Sequence, residues 1–303
     1  LDRAEQSLSD LRRVEKGRGF SSVHSLANKS VERVNVLRRS GEVTTLGIRT
    51  GFAELDDMTS GFHKGELVII AGRPSMGKSS LMVDLALNMC GFDNDIVGAI
   101  FEMEMSEDSM GDKMVCQQSK VDATRYRKGH LLSKDIDDLT YGLSELAKKR
   151  IHIDTSPRLS ALEIKARARR IKKKEGRLDF IMADHLGRMK GSGRKEKHLE
   201  LGEITKELHA ISKDLNTAVI ALCQLSRGPE TRPDKRPMMS DLRQSGEIEE
   251  DADVVILLYR DEYYKETIDN AGKAELILAK NRNGATGTMQ LSFPKQWTHI
   301  ANL

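Results

Sequence analysis

The residues from Gly72 to Ser79 have the types and spacing of a phosphate-binding loop, G-x-x-x-x-G-K-[ST]. An apolar run, Leu67–Ala71, leads into the loop, and a helical pattern follows it. A strand, a glycine loop and a helix N-terminus in this order bring backbone N–H groups and the positive end of a helix dipole to one point, where phosphate binds. Lys78 would reach the β- and γ-phosphates, and the Ser79 hydroxyl would bind Mg²⁺. The pattern therefore predicts a nucleoside triphosphate site rather than an ordinary tight turn. The residues expected to contact the nucleotide are Gly72, Arg73, Pro74, Ser75, Met76, Gly77, Lys78, Ser79 and Ser80.

Carboxylates at the ends of two later apolar runs supply the other groups that phosphoryl transfer needs. Asp184 closes the run Phe180–Ala183, and an aspartate in this position can hold Mg²⁺. Glu102 and Glu104 end the run that follows the phosphate loop, and hydrolysis needs a group that orients and deprotonates water. If the strand continues through both glutamates they share one face, so the spacing leaves the choice between them open. The other glutamate is then a solvated strand end.

Polar residues end two further apolar runs. Gln224 follows the run Ala218–Cys223 and either senses the γ-phosphate or is a surface glutamine. Lys280 and Arg282 lie at the end of a late strand. An ATPase that works as a ring needs a cation supplied in trans to stabilise the transferring phosphoryl group. Cations near the tip of a hairpin are also common, so both interpretations stay open.

Two basic, glycine-bearing segments follow strands on the nucleotide side of the sheet, where ligands gather in open α/β folds. One runs from Gly187 to Lys195 and includes Arg188 and Lys190; the other runs from Arg227 to Gly246. Basic loops with accessible N–H groups suit a phosphate polymer, and the scarcity of aromatic residues favours contact with its backbone over base stacking. We therefore expect single-stranded nucleic acid as the partner. The denser basic run Lys165–Lys174 is interpreted as the solvated face of a helix.

The composition bounds the remaining possibilities. With 303 residues the chain can form one large α/β domain with appendages or two modest domains. A net charge of +3 does not by itself indicate a nucleic-acid binder, and no apolar run approaches a membrane span. Cys90, Cys116 and Cys223 have no metal-binding spacing and are expected to be reduced thiols in a cytosolic protein. Because the chain begins at Leu1, we expect it to be a fragment of a longer protein.

The elements that position these groups follow from the hydrophobic pattern. Residues 1–16 predict an amphipathic helix that packs on its own domain or on a neighbouring copy, and residues 22–38 predict a second helix. Eight apolar runs, the first six separated by helical patterns, predict a mainly parallel sheet covered on both faces. The turn at 283–287 predicts that the last two strands form an antiparallel hairpin. The runs are Leu67–Ala71, Val97–Phe101, Ile151–Ile153, Phe180–Ala183, Ala218–Cys223, Val254–Leu258, Ala274–Ala279 and Thr288–Phe293.

Taken together, these residues resemble the C-terminal motor domain of DnaB-type replicative helicases, which are hexameric RecA-like ATPases. The likeness extends over nearly the whole chain, and the blocks beyond the phosphate loop are the more specific ones. The matching blocks are Thr50–Phe52, Leu55–Asp56, Thr59–Phe62, Gly72–Ser79, Met103–Ser106, Ala183–Asp184, Ala221–Arg227, Asp234–Pro237, Ser240–Asp253, Tyr259–Glu262 and Lys280–Gly284. His185 and Ser79 depart from the tyrosine and threonine that are usual in the family.

The resemblance implies a role for each candidate. Glu104 becomes the catalytic glutamate, and Gln224 becomes the sensor between the nucleotide and the DNA loops. Arg282, accompanied by Lys280, becomes an arginine finger for the neighbour's ATP. The DNA-contacting residues implied by the two loops are Arg188, Lys190, Arg243, Gln244 and Gly246.

The resemblance also implies an organisation and an activity. Residues 1–17 would be a linker helix docked on the adjacent subunit, residues 18–48 a tether and leading helix, and residues 49–303 a RecA-like ATPase motor domain. A homo-hexameric ring would use ATP and Mg²⁺ to translocate 5′→3′ on single-stranded DNA in the bacterial cytoplasm or a phage-infected host. Primase and a helicase loader are expected partners of the full-length protein. The alternative is a RecA-like filament that uses ATP to hold single-stranded DNA.

Overall fold

The computed structural model describes residues 20–40, 46–191, 193, 197–242, 245–294, 296 and 298–303. The chain divides into two units, Leu1–Leu46 and Gly47–Leu303. In the first unit one helix, Val23–Ser40, is described, which confirms the helix predicted over 22–38. The predicted linker helix over residues 1–17 lies outside the described residues. No helix in the described ranges combines the length and the apolar character that crossing a bilayer requires.

A single sheet forms the centre of the second unit. Nine strands are described, in the order β3-β2-β4-β5-β1-β6-β7-β8-β9. The first six in this order pair in parallel and the remaining three are antiparallel. All eight predicted strands are confirmed, as is the hairpin between β7 and β8; the two-residue β9 was missed. The strands are β1 Leu67–Gly72, β2 Val97–Glu102, β3 Arg150–Asp154, β4 Phe180–Asp184, β5 Ala218–Gln224, β6 Val254–Tyr259, β7 Lys273–Asn281, β8 Gly287–Ser292 and β9 Ala301–Asn302.

Helices cover the sheet because the strands alternate in the face they present. Within β1, Val68 and Ile70 pack into one buried cluster, and Leu67 and Ile69 into the other. The helix Lys78–Phe92 contributes to the first cluster, and two helices later in the chain contribute to the second. The helices of this unit are Ala53–Thr59, Lys78–Phe92, Glu107–Ser119, Ala123–Lys128, Ser133–Leu146, Ala161–Glu175, Lys197–Leu215, Gly228–Thr231 and Ser245–Asp251.

The basic helix Ala161–Glu175 follows the sequence prediction. Ser160 and Glu163 form a reciprocal capping box at its start. Ile164 is buried against the sheet, whereas Arg170 on the opposite face is exposed. The predicted solvated face therefore holds for the exposed cations Arg169, Arg170, Lys173 and Lys174. Lys165, Arg167 and Lys172 are instead half-buried and bond to Asp214, Asp154 and the Leu215 carbonyl.

Candidate nucleotide site

The phosphate loop joins the end of β1 to the helix Lys78–Phe92, and β1 lies between β5 and β6 at the centre of the nine-stranded sheet. Gly77 is the residue before the helix, with φ at 100°, a conformation that L side chains rarely adopt. A Cβ at this position would lie 3.0 Å from the ring of Phe293. Both the backbone angle and this close approach therefore require glycine here, and they set the entry angle of the helix.

Lys78 is half-buried at the start of that helix. Its ammonium donates hydrogen bonds to the carbonyl oxygens of Gly72 and Arg73, each at 3.0 Å. Burial lowers the pKa of Lys78, and the nearby carboxylates of Asp184 and Glu104 oppose that shift. The ammonium is thus held over the loop, next to the place where phosphate oxygens would lie.

Ser79 and Asp184 form the oxygen pair that would hold Mg²⁺. The Ser79 hydroxyl donates to Oδ2 of Asp184 at 2.6 Å. Burial raises the pKa of Asp184, and the hydrogen bond from Ser79 lowers it, so a cation beside this carboxylate would favour its charged form. In the described part of the chain no cluster of three His, Cys, Asp or Glu side chains could hold a metal alone. A hydroxyl, one carboxylate and substrate phosphates are nevertheless a normal Mg²⁺ environment, so these residues fit the ion.

The structure separates the two glutamates that the spacing left together. β2 ends at Glu102, which is fully buried and accepts the N–H groups of Glu104 and Met105 at 2.7 and 3.0 Å. Burial, with a contribution from Asp184, raises the pKa of Glu102 to about 7. The Glu104 side chain is 41% exposed. Glu102 therefore stabilises the turn after β2 and is not a solvated strand end. Glu104 is the glutamate that water can reach.

Two adjoining cavities open at the carboxyl ends of the parallel strands, and both are lined by Glu104, His185 and Gln224. The nucleotide cavity has a volume of about 390 Å³ and the second about 410 Å³. Gln224 is exposed at the end of β5, as predicted. The full lining of the nucleotide cavity is Pro74, Ser75, Gly77, Lys78, Ser79, Ser80, Glu104, Lys113, His185, Gln224, Arg260, Phe293 and Thr298.

Three predicted nucleotide contacts offer no side chain to the cavity. Arg73 bonds to Glu230 at 2.9 and 2.5 Å and to the Leu225 carbonyl at 2.9 Å. Met76 is buried in the core, and Gly72 has no side chain. At these positions only the backbone is available to a phosphate.

Sequence reasoning did not select several residues of the cavity wall, among them Arg260, Phe293 and Lys113. The guanidinium of Arg260 lies 4.3 Å from the ring centroid of Phe293 and donates to the Ser75 carbonyl at 3.3 Å. Arg260 directly follows β6. The reasoning that selected Asp184, that polar residues at the ends of parallel strands gather at the ligand site, could therefore have found it. Lys113 is on the helix Glu107–Ser119, and burial lowers its pKa. It lies mid-helix, and nothing in the sequence pattern marks it.

Lys280 and Arg282 lie near the opposite end of the strands from the chain's own phosphate loop. Asn281 pairs with Val254, and Val254 pairs with Val68 near the start of β1. The loop begins four residues further on, at Gly72, or about 13 Å along the strand. Each cation is held locally, since Lys280 donates to the Glu249 carbonyl at 2.5 Å and Arg282 to Oδ1 of Asp253 at 2.8 Å.

The described part of the segment from Arg227 to Gly246 has more internal hydrogen bonds than its composition indicates. Arg232 makes two hydrogen bonds to Asp241, at 2.9 and 2.6 Å. Arg236 makes two to Glu275, each at 2.8 Å. Both arginines therefore have carboxylate partners inside the chain.

The structure describes three of the five candidate DNA-contacting residues. Arg243 and Gln244 lie outside the described residues, and Gly246 is exposed in the helix Ser245–Asp251. Lys190 is exposed and anchored by its backbone N–H to the Leu159 carbonyl at 2.9 Å. Arg188 instead reaches the second cavity, beside Glu104.

Comparison with known proteins bears directly on this site. Residues 47–302 match the DnaB-like helicase C terminal domain family. The whole chain is 40% identical to the Replicative DNA helicase DnaB of Geobacillus stearothermophilus and to the Replicative DNA helicase DnaC of Bacillus subtilis (strain 168). It spans 66% of the length of each of these relatives.

Solved structures show the same architecture. A solved ATPase domain superposes with a TM-score of 0.86 at 32% identity, over 94% of this chain and 100% of that one. A DnaB-like replicative helicase, described together with its interactions with primase, superposes with a TM-score of 0.83 at 31% identity, over 99% of this chain and 72% of the other. The prediction of a RecA-like fold with a mainly parallel sheet flanked by helices is confirmed. From its sequence, its sheet and its phosphate loop, the chain belongs to the DnaB-like helicase C-terminal domain family.

Proposed function

We propose that this chain is the ATP-hydrolysing motor of a replicative DNA helicase. The observation that carries the proposal is the convergence of Lys78, Ser79 and Glu104 on one cavity, with Asp184 bonded to Ser79 behind it. This is the set of groups that ATP hydrolysis needs: a cation for the phosphates, oxygen ligands for Mg²⁺ and a carboxylate for water. The chain is also 40% identical to a replicative helicase.

Each residue has a defined task in hydrolysis. The backbone N–H groups of the loop and the Lys78 ammonium bind the phosphates, and Ser79 with Asp184 would hold Mg²⁺. When bound there, the ion would supply positive charge to the phosphate oxygens. Glu104 orients the attacking water and accepts its proton. Gln224, placed between the two cavities, donates to the γ-phosphate and changes its position when that phosphate leaves.

The site is completed by a second subunit. Lys280 and Arg282 lie at the edge of the sheet away from their own loop, so they serve the ATP of a neighbour in a homo-hexameric ring. Such head-to-tail interfaces close into a ring when the rotation permits. We assign residues 1–17 to a linker helix docked on that neighbour, residues 18–48 to a tether, and residues 49–303 to the motor domain.

Single-stranded DNA is the substrate along which the ring moves, in the 5′→3′ direction. Arg188, Lys190, Arg243, Gln244 and Gly246 are the proposed contacts to its phosphates. Primase and a helicase loader are proposed partners of the full-length protein in the bacterial cytoplasm. Primase has support from the structural relative that is described with it.

The experiment that tests this function is ATP hydrolysis against protein concentration, with and without single-stranded DNA. A site shared between subunits gives a rate that rises cooperatively with concentration, and DNA raises that rate. Lys78→Ala is the inactive control. A rate that is linear in concentration and unaffected by DNA would refute the proposal. Electron microscopy with ATP and DNA separates the ring from the alternative, a RecA-like filament.

A further inference from the structure

The second cavity, lined by Arg158, His185, Gly187 and Arg188 together with Glu104 and Gln224, has a surplus of cationic groups. We call it the Arg158–Arg188 cavity. Its lining comes from the segments that follow β3, β4 and β5, and Glu104 comes from just beyond β2. All of these are parallel strands, so the cavity lies at the same edge of the sheet as the phosphate loop. Glu104 is the only carboxylate in the described lining.

Glu104 is approached from two sides within this cavity. The Nη2 atom of Arg188 lies 3.5 Å from Oε1 of Glu104, and Nε2 of His185 lies 3.6 Å from the same oxygen. Nδ1 of His185 accepts the N–H of Gly187 at 3.0 Å, which leaves Nε2 as the protonated nitrogen of the neutral ring. Both groups therefore present an N–H to the carboxylate that would activate water. A carboxylate held in this way is less free to orient the attacking water.

Arg158 has no such carboxylate. Its side chain is exposed at the cavity wall, and it makes no hydrogen bond or ion pair with any described residue. With two arginines and one carboxylate in its described lining, the cavity carries an unbalanced positive charge. Guanidinium groups match phosphate oxygens with paired N–H groups, so a phosphate is the ligand that suits this cavity.

We propose that the Arg158–Arg188 cavity binds a backbone phosphate of single-stranded DNA, and that Arg188 exchanges Glu104 for that phosphate when the strand enters. Without DNA, Arg188 holds the carboxylate and hydrolysis is slow. With DNA, Arg188 turns to the phosphate, Glu104 is released towards the nucleotide cavity, and hydrolysis accelerates. The proposal rests on the proposed helicase function and adds a residue-level link between DNA and the attacking water.

The test uses the 303-residue chain and compares ATP turnover with and without an oligo-dT strand. Arg188→Ala should raise basal turnover about two- to fivefold, because the pair it removes is exposed and weak. The same variant should bring the ratio of DNA-stimulated to basal turnover close to one. A variant that is merely destabilised loses both rates. Arg188→Lys keeps a cation and should recover part of the stimulation, whereas Arg170→Ala, an exposed arginine elsewhere, is the matched control.

Arg158→Ala addresses the phosphate half of the proposal. The DNA concentration needed for half-maximal stimulation should rise several-fold, and its dependence on salt should weaken by about one phosphate contact. Inorganic phosphate in place of DNA distinguishes the two sources of this anion. If it stimulates the wild-type chain as strongly as DNA does, the ligand is free phosphate and the assignment to DNA is overturned.

The outcomes keep this proposal separate from the function on which it rests. If the wild-type chain shows no DNA-stimulated hydrolysis, the proposed function itself fails. If the wild-type chain is stimulated and Arg188→Ala retains both its basal rate and its stimulation ratio, only the exchange of partners by Arg188 is overturned.

Discussion

Mixing two inactive variants offers the sharpest test of a site shared between subunits. Arg282→Ala keeps the phosphate loop and removes the donated cation, whereas Lys78→Ala keeps the cation and removes the loop lysine. Each variant alone should be inactive. In a head-to-tail ring, an Arg282→Ala subunit whose loop faces a Lys78→Ala subunit regains a complete site.

The size of the effect follows from the position of Arg282. It pairs with Asp253, which lies beside Leu67 at the start of β1. Leu67 is five residues along β1 from Gly72, or about 17 Å. Its removal therefore leaves the chain's own loop intact. An arginine that stabilises the transferring phosphoryl group contributes about 10³- to 10⁵-fold to turnover, so Arg282→Ala alone should fall to background.

The assay is ATP turnover in mixtures of fixed total concentration and varying ratio. With equal amounts and random assembly, about one quarter of the interfaces join an intact loop to an intact finger, so turnover should peak at the equal mixture. ATP binding by Arg282→Ala alone, measured with a fluorescent nucleotide, confirms that its loop is intact. A flat, inactive response across all ratios would refute the reasoning, as would full activity of Arg282→Ala by itself.

Two further outcomes concern a single subunit. Glu104→Gln should retain ATP binding and lower turnover by about 10²- to 10⁴-fold. The matched Glu102→Gln should retain most of the wild-type turnover. Equal losses of turnover would contradict the separate roles assigned to the two glutamates. Without Mg²⁺ and nucleotide, burial raises the pKa of Glu102 from 4.5 to about 7, so the protonated form stabilises the fold below pH 4.5. That contribution is lost as the pH rises through about 7, and urea unfolding should show it in the wild type but not in Glu102→Gln. Gly77→Ala should lower the melting temperature more than Gly129→Ala, because both have positive φ but only Gly77 lies against Phe293. Equal shifts would show that the ring contact has no cost.

The order of the elements was predictable because each strand carries a local signal. Apolar runs bounded by turn residues specified eight strands, and the G-x-x-x-x-G-K-[ST] spacing located the loop between a strand and a helix. The strand β9, Ala301–Asn302, was missed because two residues produce no periodicity. The order of the strands in the sheet could not be predicted from the hydrophobic pattern either, since it depends on how the crossovers pack together rather than on any single apolar run.

The site was only partly predictable, for a related reason. Asp184 and Gln224 were predicted from their positions at the ends of apolar runs, because the carboxyl ends of parallel strands lie on one side of the sheet. Position in the sequence could not separate Glu102 from Glu104, since the difference lies in where β2 stops and the chain turns. Nor could it show that Arg188 reaches Glu104, because that contact joins two loops 84 residues apart in sequence.

Asp253 connects the two halves of the site that one chain carries. Its Oδ1 atom accepts from Arg282 at 2.8 Å, and its Oδ2 atom accepts the N–H of Leu67, the first residue of β1, at 3.0 Å. The other end of β1 is the phosphate loop, and all six strand residues are buried. A buried strand in a packed sheet transmits displacement as a rigid element. In the proposed ring, the backbone that carries Arg282 therefore moves together with the subunit's own phosphate loop, so a rotation of the motor domain changes both sites at once.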